Sequence, residues 1–447
     1  LKKELLYGSR AALRDNMWNR RLVDRLLQHE AFGPEALQAL QQKFLHASMQ
    51  KALLALPYYQ HISRDFGIGE AVDVLRDAFP LIDKQTLLAN PRTLYPHGGR
   101  RRPWEALGKT SGTTGTPLSI WRSPASVGME NAFIKRHWSW SGFRDGMRRA
   151  TLRGDMVVPL EQSTAPYWFY NRYNRQLLLS SRHLTDRCID PMIDMLERFA
   201  PAMLQAYPST AYTLAQLLER RGRTLHIPFL FSASEPLYAH QRELIVQRLG
   251  CQVMDMYGMA ERVAFATQCE YGEMHVNTDY SFVEIVDEHG APTTGYGNVV
   301  GTTLHNLAMP LMRYKLSDQS RWKSGTCRCG RHFPMIEAVT GKLEDSLIGS
   351  GGAVVSPSVL TFAFKGVSNI EKSQVAQVGH EHWQIRLVPG SAFSEDDGRK
   401  LIDNVKTLVD PGVHVDIVLH DSLPNTAAGK FRWVVNEFTH ARVVDSR

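Results

Sequence analysis

Apolar residues recur at three- and four-residue spacing over 21–29 and again over 34–53, a pattern that predicts two amphipathic helices at the start of the chain. Glycine, serine and threonine then crowd 106–117. The alternation Leu118-Ser119-Ile120-Trp121 predicts a strand fed by that turn-rich stretch. Helical spacing returns over 190–199, 210–220 and 238–249. Two short apolar runs, Ile227-Pro228-Phe229-Leu230-Phe231 and Gln252-Val253-Met254-Asp255-Met256, flank the last of these and read as buried strands. Strand, helix and strand at this spacing predict an α/β layer with parallel pairing.

After Met274 the pattern changes to alternation broken by glycine turns, at 281–286, 297–304 and 311–314, which predicts a smaller β subdomain covering about 268–340. Gly349-Ser350-Gly351-Gly352 marks a boundary ahead of mixed strand and helix that includes Trp383-Gln384-Ile385-Arg386-Leu387-Val388. The fold class expected is therefore α/β. A large N-terminal domain, 1–341, combines α/β layers with the β subdomain, and a smaller α+β domain, 342–447, follows.

Composition narrows the function classes. With 447 residues, 43% hydrophobic and 22% charged, the chain can bury a sizeable core and fill more than one domain. No apolar run approaches the roughly 18 residues of a membrane span. Residues 1–10 carry charge where a signal peptide needs an apolar stretch, so a cytoplasmic protein is expected. Five cysteines, an odd number, fit a reducing compartment better than a disulfide framework. The net charge of +7 raises nucleic acid as a partner class. The basic residues are scattered, however, apart from runs such as Arg100-Arg101-Arg102 and Arg220-Arg221, and no aromatic-interleaved motif accompanies them. No nucleic-acid partner is expected, and a phosphate-rich small substrate accounts for part of the excess.

The segment Thr110-Ser111-Gly112-Thr113-Thr114-Gly115-Thr116 offers many backbone N–H and hydroxyl donors and no bulky side chain, which suits polyphosphate oxygens. Alone, it reads equally as a flexible polar turn. Gly108-Lys109-Thr110 overlaps the end of a Walker loop, but the first glycine of that motif would fall at Pro103, so the assignment fails.

Taken with other segments in order, the loop resembles the phosphate loop of adenylate-forming enzymes, the superfamily of acyl-CoA synthetases, luciferases and peptide-synthetase adenylation domains. Ser232-Ala233-Ser234-Glu235-Pro236 resembles its adenine-side loop. Asp255-Met256-Tyr257-Gly258-Met259-Ala260-Glu261 resembles the segment whose aromatic lies against adenine and whose carboxylate serves Mg²⁺. Arg313-Tyr314-Lys315-Leu316-Ser317-Asp318 is similar to the stretch whose aspartate binds ribose hydroxyls, Gly341-Lys342-Leu343-Glu344-Asp345 to the hinge, and Asn425-Thr426-Ala427-Ala428-Gly429-Lys430 to the loop with the catalytic lysine. The resemblance implies ATP and Mg²⁺ as cofactors and Lys430, Glu261 and Thr113 as catalytic residues. It implies nucleotide contacts from Thr110 to Thr116, from Ser234, Glu235 and Pro236, from Asp255, Met256, Tyr257 and Gly258, and from Asp318 and Lys342. Each role has a physical reason. The triphosphate repels an attacking carboxylate, so a metal-binding Glu261 and a cationic Lys430 must neutralise charge at the α-phosphate.

Within the superfamily the chain is most similar to the phenylacetate-CoA ligase-like branch and its CapK-type members, associated with capsular polysaccharide biosynthesis. The similarity runs from Leu56-Pro57-Tyr58-Tyr59 and Phe79-Pro80-Leu81-Ile82-Asp83-Lys84 to Lys430-Phe431-Arg432. Two further features are Cys269 followed by His275, and Cys327-Arg328-Cys329-Gly330-Arg331. Thiolates and imidazole are Zn²⁺ ligands, and four of them close a tetrahedral structural site. The Cys-to-His gap is wider than in a usual finger, and on spacing alone buried thiols with an ordinary histidine remain an equal reading. Resemblance to zinc-bearing members favours zinc. Cys188 and Cys251 are expected to be core thiols.

Lys342 stands where most relatives carry arginine, and loses the bidentate fork. Either Glu344 or Asp345 occupies the hinge position about which the mobile C-terminal domain of the family turns. The aromatic run Tyr167-Trp168-Phe169-Tyr170 with Tyr173 admits two readings, an aromatic-tolerant acyl pocket or core, and Tyr207-Pro208-Ser209-Thr210 is expected to turn near the site. The activity implied is formation of an acyl-adenylate from a carboxylic acid and ATP, then transfer to CoA. The alternative passes the acyl group to an amine of an amino acid or amino sugar. A homodimer is the usual arrangement of such enzymes.

Overall fold

Asn16 caps the first helix, Met17–His29, its carboxamide accepting from the Asn19 amide at 2.9 Å. Pro34, whose missing N–H costs nothing in a first turn, opens Pro34–Ala55. Both helices lie where the periodicity places them. The second buries Leu45, Met49, Ala52 and Leu53 in one apolar cluster with Ile82, Leu118, Ile120, Met309, Leu311 and Tyr314. That cluster is the floor on which the candidate site is built. The computed structural model describes residues 8–9, 16–109, 118–153, 157–159, 162–339, 347–350, 354–355, 360–364, 367, 369–424 and 432–438.

Strands β1 (Ala106–Lys109) and β2 (Ser119–Arg122) pair antiparallel, with Lys109 opposite Ser119. They are the two stems of the Thr110–Thr116 segment, which itself lies outside the described residues.

The main body is a ten-stranded sheet in the order β14-β15-β10-β9-β8-β7-β6-β3-β5-β4, with β4 (Trp168–Asn171) at its edge. Five neighbours in it, β8 (Gln252–Gly258), β7 (Phe229–Ala233), β6 (Met203–Ala206), β3 (Arg149–Leu152) and β5 (Gln176–Leu179), run parallel. Helices Ile189–Phe199, Pro208–Arg220 and Ala239–Leu249 join consecutive parallel strands and bury Ile193, Leu214, Leu218 and Ile245 against them. The expected strand–helix–strand layer is thus present. Burial on both faces explains why these strands read as unbroken apolar runs.

The other half of the sheet is antiparallel: β9 (Phe265–Gln268), β10 (Met274–Val276), β15 (Met335–Ile336) and β14 (Trp322–Lys323). A separate three-stranded antiparallel sheet contains β11 (Ser281–Val286), β12 (Gly297–Thr303) and β13 (Tyr314–Ser320). The 268–340 stretch is therefore shared between two sheets. The expected strand at 311–314 is displaced. Arg313 adopts φ 43°, which ends an extended run, so β13 begins at Tyr314 where the expectation stopped. The Arg313 side chain, buried beside Glu284 at 3.2 Å, holds this bend.

The C-terminal part opens with the antiparallel pair β16 (Leu347–Ile348) and β17 (Val354–Val355), then forms a four-stranded sheet, β20-β19-β18-β21, with the helix Glu395–Asn404 packed on it. Strands β18 (Ile370–Gly379) and β19 (His382–Pro389) form a hairpin; β20 (His414–Leu419) and β21 (Val434–Asn436) flank it in parallel. It packs on the N-terminal body. Gln216 Nε2 donates to the Ile370 carbonyl at 3.0 Å, Arg220 meets Glu371 at 2.8 Å, and the rings of Tyr238 and Trp433 lie 4.4 Å apart. The expected hinge at 341–345, with Lys342, lies outside the described residues.

Candidate active site

In a parallel sheet with helices on both faces, ligands bind outside the carboxyl ends of the strands, where the chain turns into loops and helix N-termini. Here those ends bring together Arg153 after β3, Tyr207 after β6, Ser234 to Pro236 after β7, and Gly258 to Glu261 after β8. Several of the sequence-expected site residues converge there.

Tyr257, near the end of β8, donates its hydroxyl to Asp318 Oδ2 of β13 at 2.7 Å, so the large sheet and the three-stranded sheet meet at two residues chosen from separate segments. Burial first, then the Asp318 carboxylate and more weakly Glu261, push the Tyr257 phenol well above its ordinary range. Tyr314 behaves alike: burial, then Glu261, with which it shares a hydrogen bond, raise it further. Tyr257, Tyr314, Asp318 and Glu261 therefore form one constellation. Both phenols stay neutral donors to the two carboxylates at physiological pH. Neighbouring segments lock this arrangement, since Ile82 N donates to the Arg313 carbonyl at 3.1 Å and Lys315 N to the Ile82 carbonyl at 2.7 Å.

The turn bearing Glu261 presses on β12. A Cβ on Gly301 would stand 2.1 Å from the Val263 carbonyl oxygen, so only glycine permits that approach. Arg262 takes φ 58°, and its Nη1 donates to the Ser126 carbonyl at 2.9 Å. Arg122, on the β2 stem, donates Nη2 to the Ala260 carbonyl at 2.6 Å, while its Nε has no hydrogen-bond partner among the described residues. Arg122 and Tyr314 are neighbours of Glu261 that sequence reasoning did not single out. Their placement depends on pairings between distant segments, and no local pattern announces it.

The other expected nucleotide contacts are more deeply engaged by protein. Asp255 accepts from Ser232 Oγ at 2.6 Å across the β7–β8 register, and burial raises its carboxyl. Ser234 holds φ 75°. Glu235 Oε2 accepts from Ser209 N at 3.0 Å, at the N-terminus of Pro208–Arg220, where a carboxylate is favoured. Tyr207 leads into that helix, as expected, and the Arg153 guanidinium lies 5.6 Å from its ring. Lys372 of β18 donates to the Leu423 carbonyl at 2.6 Å; burial lowers its pKa to about 8, partly offset by Glu235. Leu423 and Trp433 flank the Lys430 segment, and Trp433 lies beside the N-terminal body through Tyr238. Lys430 itself, like Thr110 to Thr116 with Thr113, lies outside the described residues.

The aromatic run occupies the far edge. Trp168–Asn171 is β4, five strands from β8, roughly 24 Å at the usual strand spacing. Tyr167 packs in the core and stacks on His183, whereas Tyr170 and Tyr173 are exposed. The core reading holds for Tyr167, while Tyr170 and Tyr173 belong to the surface.

At the opposite end of the large sheet, Cys269, His275, Cys327 and Cys329 place all four ligand atoms within 4.8 Å of one another. Cys269 ends β9 and His275 lies on β10, while the two other thiols come from the turn between β14 and β15. Cys269 Sγ and Cys327 Sγ are 3.6 Å apart, and Cys329 Sγ is 3.4 Å from His275 Nε2. A tetrahedron with Zn–S bonds of about 2.3 Å has edges of about 3.8 Å, so the set is close to ready for an ion. His275 Nδ1 donates to the Phe333 carbonyl at 2.9 Å, which turns Nε2 toward the thiols. Burial pushes the Cys327 thiol up to about 12 and raises Cys269. A cation is what would make such thiols anionic. Cys188 and Cys251 are buried core thiols, as expected.

The fold has counterparts among known proteins. Residues 347–437 match the family model of the CapK C-terminal domain. Protein CapK of Staphylococcus aureus is 23% identical over 332 residues, 73% of each chain. Phenylacetate-coenzyme A ligase of Thermus thermophilus is 25% identical over 339 residues, covering 71% of this chain and 73% of its own. Among solved structures, 2-hydroxyisobutyryl-CoA ligase in a postadenylation state, in complex with R3-HIB-AMP, superposes with a TM-score of 0.70 at 17% identity, covering 94% of this chain and 93% of that one. Among the described residues no helix is long and apolar enough to cross a membrane.

Proposed function

We propose that this chain, an adenylate-forming fold completed by a CapK-type C-terminal domain, is an AMP-forming acid–thiol ligase. In the first step a carboxylate oxygen attacks the α-phosphorus of ATP; the bond to the β-phosphate oxygen breaks, pyrophosphate leaves, and an acyl-adenylate forms. In the second, the sulfur of CoA attacks the acyl carbon and AMP departs, leaving a thioester. The observation that carries this reading is the meeting of Tyr257, Asp318, Tyr314 and Glu261 at the carboxyl end of β8, beside the β1–β2 stems. The similarity to phenylacetate-coenzyme A ligases supports the choice of thiol as acceptor.

The remaining roles follow from chemistry. Thr110 to Thr116, Thr113 among them, cradle the phosphates through N–H and hydroxyl donors. Ser234 to Pro236 and the 255–258 backbone border the base, Asp318 receives the ribose hydroxyls, and Lys342 adds a point charge beside them. Glu261 is an oxygen ligand suited to Mg²⁺, which would neutralise phosphate charge. Lys430 bridges the acid and the α-phosphate, and Trp433 on the flank of its segment lies against Tyr238. Arg122 supplies a second cation on the phosphate side of Glu261. Cys269, His275, Cys327 and Cys329 fit a closed structural Zn²⁺ site, which would cross-link β9, β10 and the β14–β15 turn.

The test is to incubate the purified chain with ATP, Mg²⁺ and a panel of carboxylic acids, then add CoA. Acid-dependent pyrophosphate exchange, with AMP release stimulated by CoA, is expected. AMP release unmoved by CoA would overturn the thiol as acceptor. Absence of exchange with every acid would overturn the first step.

A further inference from the structure

The C-terminal sheet carries a second constellation of metal-ligand type, remote in chemistry from the thiol cluster. We propose that His382, His414 and Asp416 form an open site for a divalent transition cation of borderline softness, such as Zn²⁺ or Co²⁺. The proposal stands on the C-terminal sheet alone and does not depend on the ligase reading.

Register explains how the three meet. Strands β19 and β20 are parallel, with His382 opposite His414, and Asp416 lies two residues beyond His414 on the same face. The alternate residues Trp383 and Val415 point the other way, into the core under Glu395–Asn404. His382 Nε2 is 2.7 Å from Asp416 Oδ2 and His414 Nε2 is 3.2 Å from Oδ1, with the imidazole centroids 4.9 Å apart. One ligand atom from each residue falls within 4.8 Å of the others.

The surroundings favour a cation. Asp416 supplies a carboxylate, an anion at neutral pH. Arg386, further along the same face of β19, is engaged by both oxygens of Glu437, at 2.7 and 2.8 Å, so its charge is directed elsewhere. Two imidazoles and one carboxylate select borderline transition ions over Ca²⁺ and Mg²⁺, which prefer all-oxygen shells. Three protein ligands leave further positions to solvent, and His414 is exposed by 70% of its side chain. The thiol cluster, by contrast, supplies four ligands and closes its ion.

Titration of the metal-stripped, reduced full-length protein with Co²⁺ tests this. Thiolate ligation gives intense sulfur-to-metal charge transfer, whereas a nitrogen and oxygen site gives only weak ligand-field bands. A thiolate-silent equivalent is expected beyond whatever the cysteines bind, and it persists in Cys327→Ser. His414→Asn and Asp416→Asn, both on the exposed face, should each weaken that equivalent by more than about tenfold, since even an outer-shell partner of a metal site is worth about that much. His289→Asn, at a solvent-exposed histidine 3.4 Å from Glu288, should leave it unchanged. A silent equivalent that survives undiminished in both His414→Asn and Asp416→Asn, or none in the parent chain, overturns the proposal.

Discussion

The two halves of the large sheet solve different problems. In the parallel half, from β8 to β5, helices link β5 to β6, β6 to β7 and β7 to β8, while β3 reaches β5 through β4, and Glu235, Tyr257 and Glu261 gather at the carboxyl ends. In the antiparallel half, from β9 to β14, the strands have two to four residues, β9–β10 and β14–β15 are joined by turns, and the three-stranded sheet lies in the chain between β10 and β14. Such short strands are weak alone. Cys269, His275, Cys327 and Cys329 sit at their ends, and the buried Arg136–Asp279–His29 network ties them to the first helix. One half has an open rim, where the proposed chemistry would take place. The other is closed by side chains and keeps the sheet together.

Mutations can break that comparison if rate and stability respond together. The largest effect is expected from Lys430→Ala, which should lower pyrophosphate exchange about 10²–10³-fold with ATP binding and thermal midpoint intact. A matching fall in midpoint would show that the open rim also holds the fold. The converse variant is Cys327→Ser. It should lose metal by elemental analysis and at least about 5 °C in thermal midpoint, while the folded fraction keeps its exchange rate.

Acid sharpens the comparison further. Burial would raise the Asp279 carboxyl, but Arg136 and His29 together hold it down to about 2. A carboxylate depressed in the folded state stabilises above its unfolded pKa of about 4, and that contribution, about 2 kcal/mol, is lost as pH falls from about 4 to about 2. Denaturant titrations between pH 6 and pH 2 should show a shallower acid limb in Asp279→Asn than in the parent chain. An unchanged limb would remove this network from the account. The smallest effect belongs to Arg122→Ala, expected to raise the KM for ATP about fivefold, roughly 1 kcal/mol, with affinity for AMP little altered. Equal loss for both nucleotides would place the guanidinium away from the outer phosphates.

What the sequence disclosed follows the range of the interactions involved. The helices over 17–29, 34–55 and 239–249 were legible because their periodicity is local. Tyr257 and Asp318 were legible as motif members, yet their hydrogen bond joins two sheets and has no local signature. The β10–β15 pairing spans about sixty residues, and so the antiparallel half read as a separate subdomain when its strands extend the main sheet. Arg313 displaced a strand through a single left-handed residue, which hydrophobic alternation does not register. The pair His414 and Asp416 is visible as alternate residues of one strand, but only the β19–β20 register adds His382.

Trp433 packs at a tilt of 49° against Tyr238 of the N-terminal body and near Phe364, its indole nitrogen donating to Ser373 at 3.0 Å. Any turn of the C-terminal sheet away from that body would strip this indole of its partner and wet it. The chain therefore carries a native optical reporter, and a red shift of its emission would time each departure without an added label. Trp383, sealed in the C-terminal core, supplies an internal reference that the same motion leaves dark to solvent.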